Sequence, residues 1–183
     1  MEAALNELLH WIQAHPNWTG LFVLLVAALE SFLVIGLFMP GSVIMFGIGA
    51  MIAAGTMELV PTLIWATVGA IIGDGSSYLI GRYYHQRLRV MWPFRKYPNM
   101  ISRGVDFFHQ HGGKSILLAR FVGPVRPLLP AVAGMLDLPA KRFFLFNTVS
   151  AVLWAPAYIL PGFLFGASIG VAAEIAGRLA LLL

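Results

Sequence analysis

The fold class this sequence predicts is an all-α integral membrane protein, and three observations predict it. Of the 183 residues, 59% are hydrophobic and 11% charged, whereas a soluble domain carries about 25% charged residues. The mean hydropathy is +0.81. Apolar stretches long enough to meet the roughly 20-residue requirement of a bilayer span are broken by Pro-Gly pairs, and the basic residues gather between them. The expected architecture is transmembrane helices plus two opposed re-entrant helical hairpins, laid out like an inverted repeat within one membrane domain over 20–183.

The composition also excludes several classes. With no cysteine there is no disulfide framework and no thiolate metal site. The net charge of +4 does not point to nucleic acid, because the basic residues cluster between apolar segments, as the positive-inside rule requires. The first 19 residues hold no Lys or Arg, so the basic region of a signal peptide is missing and the N-terminus is expected to be retained.

In residues 1–19, Leu5, Leu8, Leu9 and Ile12 recur at helical spacing. Glu2, Glu7 and Gln13 add polarity, while Trp11 and Trp18 suit an interface. An amphipathic helix on the membrane surface is expected, with an ordinary packed helix as the equal alternative. Residues 20–57 carry one charge, Glu30. Met39-Pro40-Gly41-Ser42 turns the chain within them, and Ser42 is placed to cap a helix starting at Val43. The stretch is read as a re-entrant hairpin; two full spans are the alternative.

Residues 59–81 read as a span with one acid, Asp74. Next comes a basic cytoplasmic loop over 82–115, with Arg82, Arg87, Arg89, Arg95, Lys96 and Arg103. The second hairpin, 116–138, holds Arg120 and Arg126 in an otherwise apolar run broken at Gly123, Pro124, Pro127, Pro130 and Gly134. The basic loop before it and Lys141-Arg142 after it put both its ends on one side of the membrane. Two spans are expected to follow, at 143–160 and 163–183, parted by Pro161-Gly162. Irregular backbone at membrane depth is tolerated only where it is buried in protein or lines a polar cavity. Charge in such a place marks a functional site.

Four blocks of residues resemble a known family. They are Glu30 with Phe38-Met39-Pro40-Gly41-Ser42; Gly73-Asp74-Gly75 with Tyr78, Gly81 and Arg82; Arg120-Phe121 with Gly123-Pro124, Arg126, Pro130 and Ala133-Gly134; and Phe143 or Phe144 with Asn147 and Trp154. Together, over roughly 20–160, they resemble the DedA family, which is related to the VTT-domain (SNARE-associated Golgi protein-like) superfamily. The resemblance implies two re-entrant loops facing each other and transport of lipid across the bacterial cytoplasmic membrane. Bacterial members are associated with returning undecaprenyl phosphate, and eukaryotic relatives scramble phospholipids. Some members look proton-coupled, through acids matching Glu30 and arginines matching Arg120 and Arg126. Ser42 departs from the pattern: some members carry an acid directly after the Pro-Gly, and serine takes up no proton.

The charged residues carry two readings each. Arg120 and Arg126 suit a lipid phosphate, because guanidinium is planar, always charged and bidentate. Backbone donors near Gly134 and Gly41-Ser42 would add partial positive charge at half-helix N-termini. The alternative is that both arginines pair with Glu30 and Asp74 and hold the hairpins together. Glu30 either shuttles protons and competes with phosphate, or forms a structural pair. Asp74 is expected to partner an arginine, and Asn147 to pack or cap.

His109 and His111, two apart, share no helix face and suggest no metal site. No cofactor is expected. Gly75-Ser76-Ser77 is no nucleophile elbow, and no His-Glu-x-x-His motif occurs, so no enzyme is expected. Membrane lipids and an anionic lipid phosphate are the expected partners, and a homo-oligomer is compatible. The rivals are a non-selective phospholipid scramblase, a structural or assembly factor, and an ion or proton transporter.

Overall fold

In the computed structural model, residues 16–33, 35–37, 41–88, 98–120 and 126–182 are described, and among them there is no strand. Helix α1 spans Pro16–Ser31. It leads through a 3-10 turn at Ile35–Leu37 towards α2, Gly41–Ala53. Helix α2 stops because Gly55 turns left-handed (φ 76°), a conformation glycine adopts without strain. There the N–H and the hydroxyl of Thr56 both return to the Met51 carbonyl, at 3.2 Å and 2.7 Å. Helix α3 spans Leu59–Leu88 and kinks at Tyr84. Helix α4 spans Pro98–His111, a 3-10 turn covers Gly112–Lys114, and α5 is the single turn Ser115–Ala119. Helix α6, Leu129–Met135, precedes α7, Ala140–Leu182.

Helix α3 shows which solvent the fold is built for. Its inward face is small or polar: Thr62, Ala66, Gly69, Ala70, Gly73 and Ser77 are buried. Its outward face is large and apolar, with Val60, Ile64, Val68, Ile72 and Leu79 exposed. That is inverted relative to a water-soluble helix, and it suits lipid outside and close backbone packing inside. The stretches Leu59–Tyr84 and Ala140–Ile169 are long and apolar enough to cross a membrane. Helices α1 and α2, of 16 and 13 residues, are about 24 Å and 20 Å long, short of the roughly 30 Å hydrocarbon core.

The packing crosses between the two halves of the chain. Helix α1 lies on α3 and α5 on α7, whereas α2 lies on α7 and α6 on α3. Small residues permit the crossed contacts. A Cβ at Gly81 would overlap the Ala131 carbonyl, and one at Gly134 the Tyr78 carbonyl. On the other side, a Cβ at Gly49 would overlap the Ile159 carbonyl and one at Gly162 the Phe46 carbonyl. The larger core joins Val23, Ala27, Met45, Ile48, Ala66 and Trp154; a smaller one joins Tyr78, Ile116, Ala133 and Phe143.

Several expectations change. Residues 1–15 of the predicted surface helix lie outside the described residues, and Pro16 to Thr19 already belong to α1. The predicted loop 82–115 is largely helical. Helix α3 runs on to Leu88, and α4 is amphipathic: Val105, Phe107 and Phe108 turn inward, while Asp106, His109 and Gln110 are exposed. Phe108 packs on the Tyr78 core, and that contact holds the segment to the fold. The two spans expected at 143–160 and 163–183 are one helix, α7, running through Pro156 and Pro161. Each proline removes one donor, which bends a helix without ending it when neighbours hold both sides. Here Gly162 presses α7 against α2.

Candidate functional site

Four charged side chains meet where the irregular segments end. Arg120 follows α5 and is 4% exposed. Its Nη2 donates to Asp74 Oδ2 in the middle of α3, at 2.5 Å. Its Nη1 points to the Asn147 carbonyl (3.4 Å) and Ser150 Oγ (3.5 Å) of α7. Arg126 lies just before α6, and its Nη1 donates to Glu30 Oε1, near the end of α1, at 2.7 Å. The two guanidiniums share one aromatic platform: Arg126 Cζ lies 4.7 Å and Arg120 Cζ 5.4 Å from the centre of the Trp154 ring. A charge over an indole face at this range is attracted by the ring quadrupole.

The surrounding elements hold these groups by local bonds. Ser77 on α3 accepts from the Leu33 N–H at 2.9 Å, which fixes the chain leaving α1. Asn147 donates to the Ile71 carbonyl at 3.5 Å and so links α7 to α3. A Cβ at Gly41 would overlap the Glu30 carboxylate; only glycine lets the first turn of α2 come so close. The site is not saturated. Among the described residues, Glu30 Oε2, Arg126 Nη2, Trp154 Nε1, Asn147 Oδ1 and Ser31 Oγ are buried without a hydrogen-bond partner, although most buried polar atoms have one. The arrangement therefore holds two cations, two anions and unmet donors and acceptors in an apolar setting.

Glu30, Asp74, Arg120, Arg126, Asn147 and Gly41 are thus brought together. Pro40, Gly123 and Pro124 lie outside the described residues. Pro127 is buried in the turn before α6. Ser42 does not precede its helix: α2 starts at Gly41, so Ser42 sits exposed in the first turn. Pro130 opens α6 and does not break it, since a proline in the first turn removes only an unpaired donor. Gly134 is near the end of α6, against Tyr78. Its role is close packing, and it supplies no donors at a helix N-terminus. Ser150 carried no charge or motif to single it out, and Trp154 stood only in the fourth block of the resemblance, without a site role. An aromatic in an apolar run reads as core, and only the two guanidiniums on its face reveal more.

The chain is similar to known membrane proteins. A family model described as the VTT domain matches residues 39–177. Inner membrane protein YabI of Escherichia coli (strain K12) is 40% identical over 165 residues, covering 90% of this chain and 65% of YabI. Protein DedA of the same organism is 32% identical over 157 residues, covering 81% of this chain and 69% of DedA. Its inner membrane protein YqjA is 34% identical over 157 residues, covering 84% and 71%. The chain thus spans about two thirds of the length of these relatives. No solved structure matches it significantly.

Proposed function

The chain belongs to the VTT-domain (DedA) family, and on that premise we propose that it carries a lipid phosphate, undecaprenyl phosphate, across the bacterial inner membrane. One observation carries the reading. Arg120 and Arg126 lie together over Trp154 at the ends of broken helices, each beside an acid, with hydrogen-bonding capacity left over. The main barrier to moving a phosphate through hydrocarbon is the burial of its charge. Paired arginines at half-depth lower that barrier, and the acyl chain stays in lipid. Glu30 is the anion the phosphate displaces from Arg126, or a carrier of the coupled proton. The reading includes α1–α2 and α5–α6 as two opposed re-entrant hairpins. It is supported by the shortness of α1 and α2 and by the exchange pattern of packing, first arm on its own span and second arm on the other. The relatives' names as inner membrane proteins support the same location here.

The test is lipid movement in proteoliposomes. Undecaprenyl phosphate is expected to cross with the unaltered protein and to slow more than about tenfold in a folded Arg126→Gln variant. A pH gradient should speed it, and Glu30→Gln should abolish that response. Equal movement of phospholipids without a gradient would make the protein a scramblase. The completed ion pairs also suit a purely structural cluster. On that reading Arg126→Gln lowers stability, and the unaltered protein moves no lipid.

A further inference from the structure

The unmet polar atoms of the site form a pattern that selects among anions. Trp154 is fully buried, and its Nε1–H has no acceptor among the described residues. Both guanidiniums lie near its ring centre, and an anion is favoured at the ring's positive edge, where that N–H lies. Arg126 touches the ring and donates Nη1 to Glu30, while its Nη2 is buried and unused. Glu30 keeps Oε2 buried and unused as well. Arg126 thus contacts both Trp154 and Glu30, and the three side chains offer two donors and one acceptor. Buried indole N–H groups ordinarily find partners, and such atoms are costly to leave unmet.

Building on the transport reading above, we propose that Trp154 is a ligand-binding residue and that the site selects a phosphate monoester over a phosphodiester. Two anionic oxygens accept from Trp154 Nε1–H and Arg126 Nη2–H, and the remaining P–OH donates to Glu30 Oε2. A singly protonated monoester satisfies all three atoms. A diester headgroup has no P–OH, and it leaves the Glu30 oxygen facing an oxygen with no proton between them. The ring itself holds both arginines in place, which separates its platform role from its N–H role.

The full chain in nanodiscs tests this with three probes: farnesyl phosphate, its methyl diester and inorganic phosphate. Farnesyl phosphate is expected to bind the unaltered protein, with affinity about tenfold weaker in Trp154→Phe, which keeps an aromatic face and loses the N–H. The diester should bind the unaltered protein at least about tenfold more weakly than the monoester. Should Trp154→Phe fail to fold, a variant with Trp11, Trp18, Trp65 and Trp92 replaced by phenylalanine reports Trp154 emission alone. That emission should change with farnesyl phosphate and not with the diester. Equal affinity in folded Trp154→Phe, or equal binding of monoester and diester, overturns the proposal while leaving lipid-phosphate transport standing. Inorganic phosphate binding as tightly as farnesyl phosphate, with the same loss in Trp154→Phe, supports the oxyanion contact and assigns it to free phosphate. No monoester binding to the unaltered protein removes both this proposal and the transport reading.

Discussion

At the scale of single residues, Asp74 and Arg120 show how little freedom the site has. Both are almost wholly buried and bonded to each other. Removing one charge leaves the other in an apolar setting, which costs about 3–5 kcal/mol, whereas replacing both by apolar residues of similar size is often neutral. Asp74→Asn is therefore expected to lower the unfolding free energy in micelles by that amount. Asp74→Leu with Arg120→Met should recover most of it while leaving lipid movement absent. A double variant as unstable as the single one would sink the assignment. The charges themselves were legible in the sequence, because intramembrane acids and arginines stand out against an apolar background. Their pairing was not. Arg126 reaches Glu30 across 96 residues, and two acids with two arginines allow either pairing until the helices are in place. Trp154 entered only as part of the family resemblance and with no role of its own, since its role lies in what rests on its face.

The lesson at the scale of elements comes from α7. Pro161-Gly162 read as a stop by local rules, yet the helix continues. Gly162 serves its neighbour: it lets α7 lie against the backbone of α2 at Phe46. Local turn chemistry and close helix packing draw on the same two residue types, so sequence alone does not separate them. Helix α1 ends at Ser31 and α2 begins at Gly41, so the chain is interrupted between them, with Pro40 itself outside the described residues. Glycines offer a graded test. Gly162→Leu would drive a side chain into the Phe46 backbone, and it is expected to cost about 1–3 kcal/mol or more. Gly47 has open space around it, so Gly47→Ala should be neutral or gain up to about 1 kcal/mol from helix propensity. Thermal unfolding of the two variants checks the order, and a destabilised Gly47→Ala would contradict the packing described.

For the whole molecule, the class was legible from composition and the stretch at 59–81 from hydropathy, whereas the two spans expected after Arg142 are one helix. The crossed packing was not legible, because it depends on contacts between distant parts of the chain. The absence of cysteine makes it directly measurable. A Cβ at Gly166 would stand 2.9 Å from that of Ala53, near enough for a disulfide after a small shift. Oxidised Ala53→Cys/Gly166→Cys protein, cut at a protease site inserted between Leu88 and Pro98, is expected to run as one band in denaturing gels. The control Ala27→Cys/Gly69→Cys, which links α1 to α3 within one half, should run as two. The crossed packing also has a consequence for biogenesis. Helix α2 leaves the ribosome long before α7, the helix it lies on, has been made. During that interval Gly49 has no α7 backbone to lie against, and the Glu30 carboxylate lacks Arg126. Newly inserted protein must therefore hold an unfinished first half in the membrane until the second half arrives.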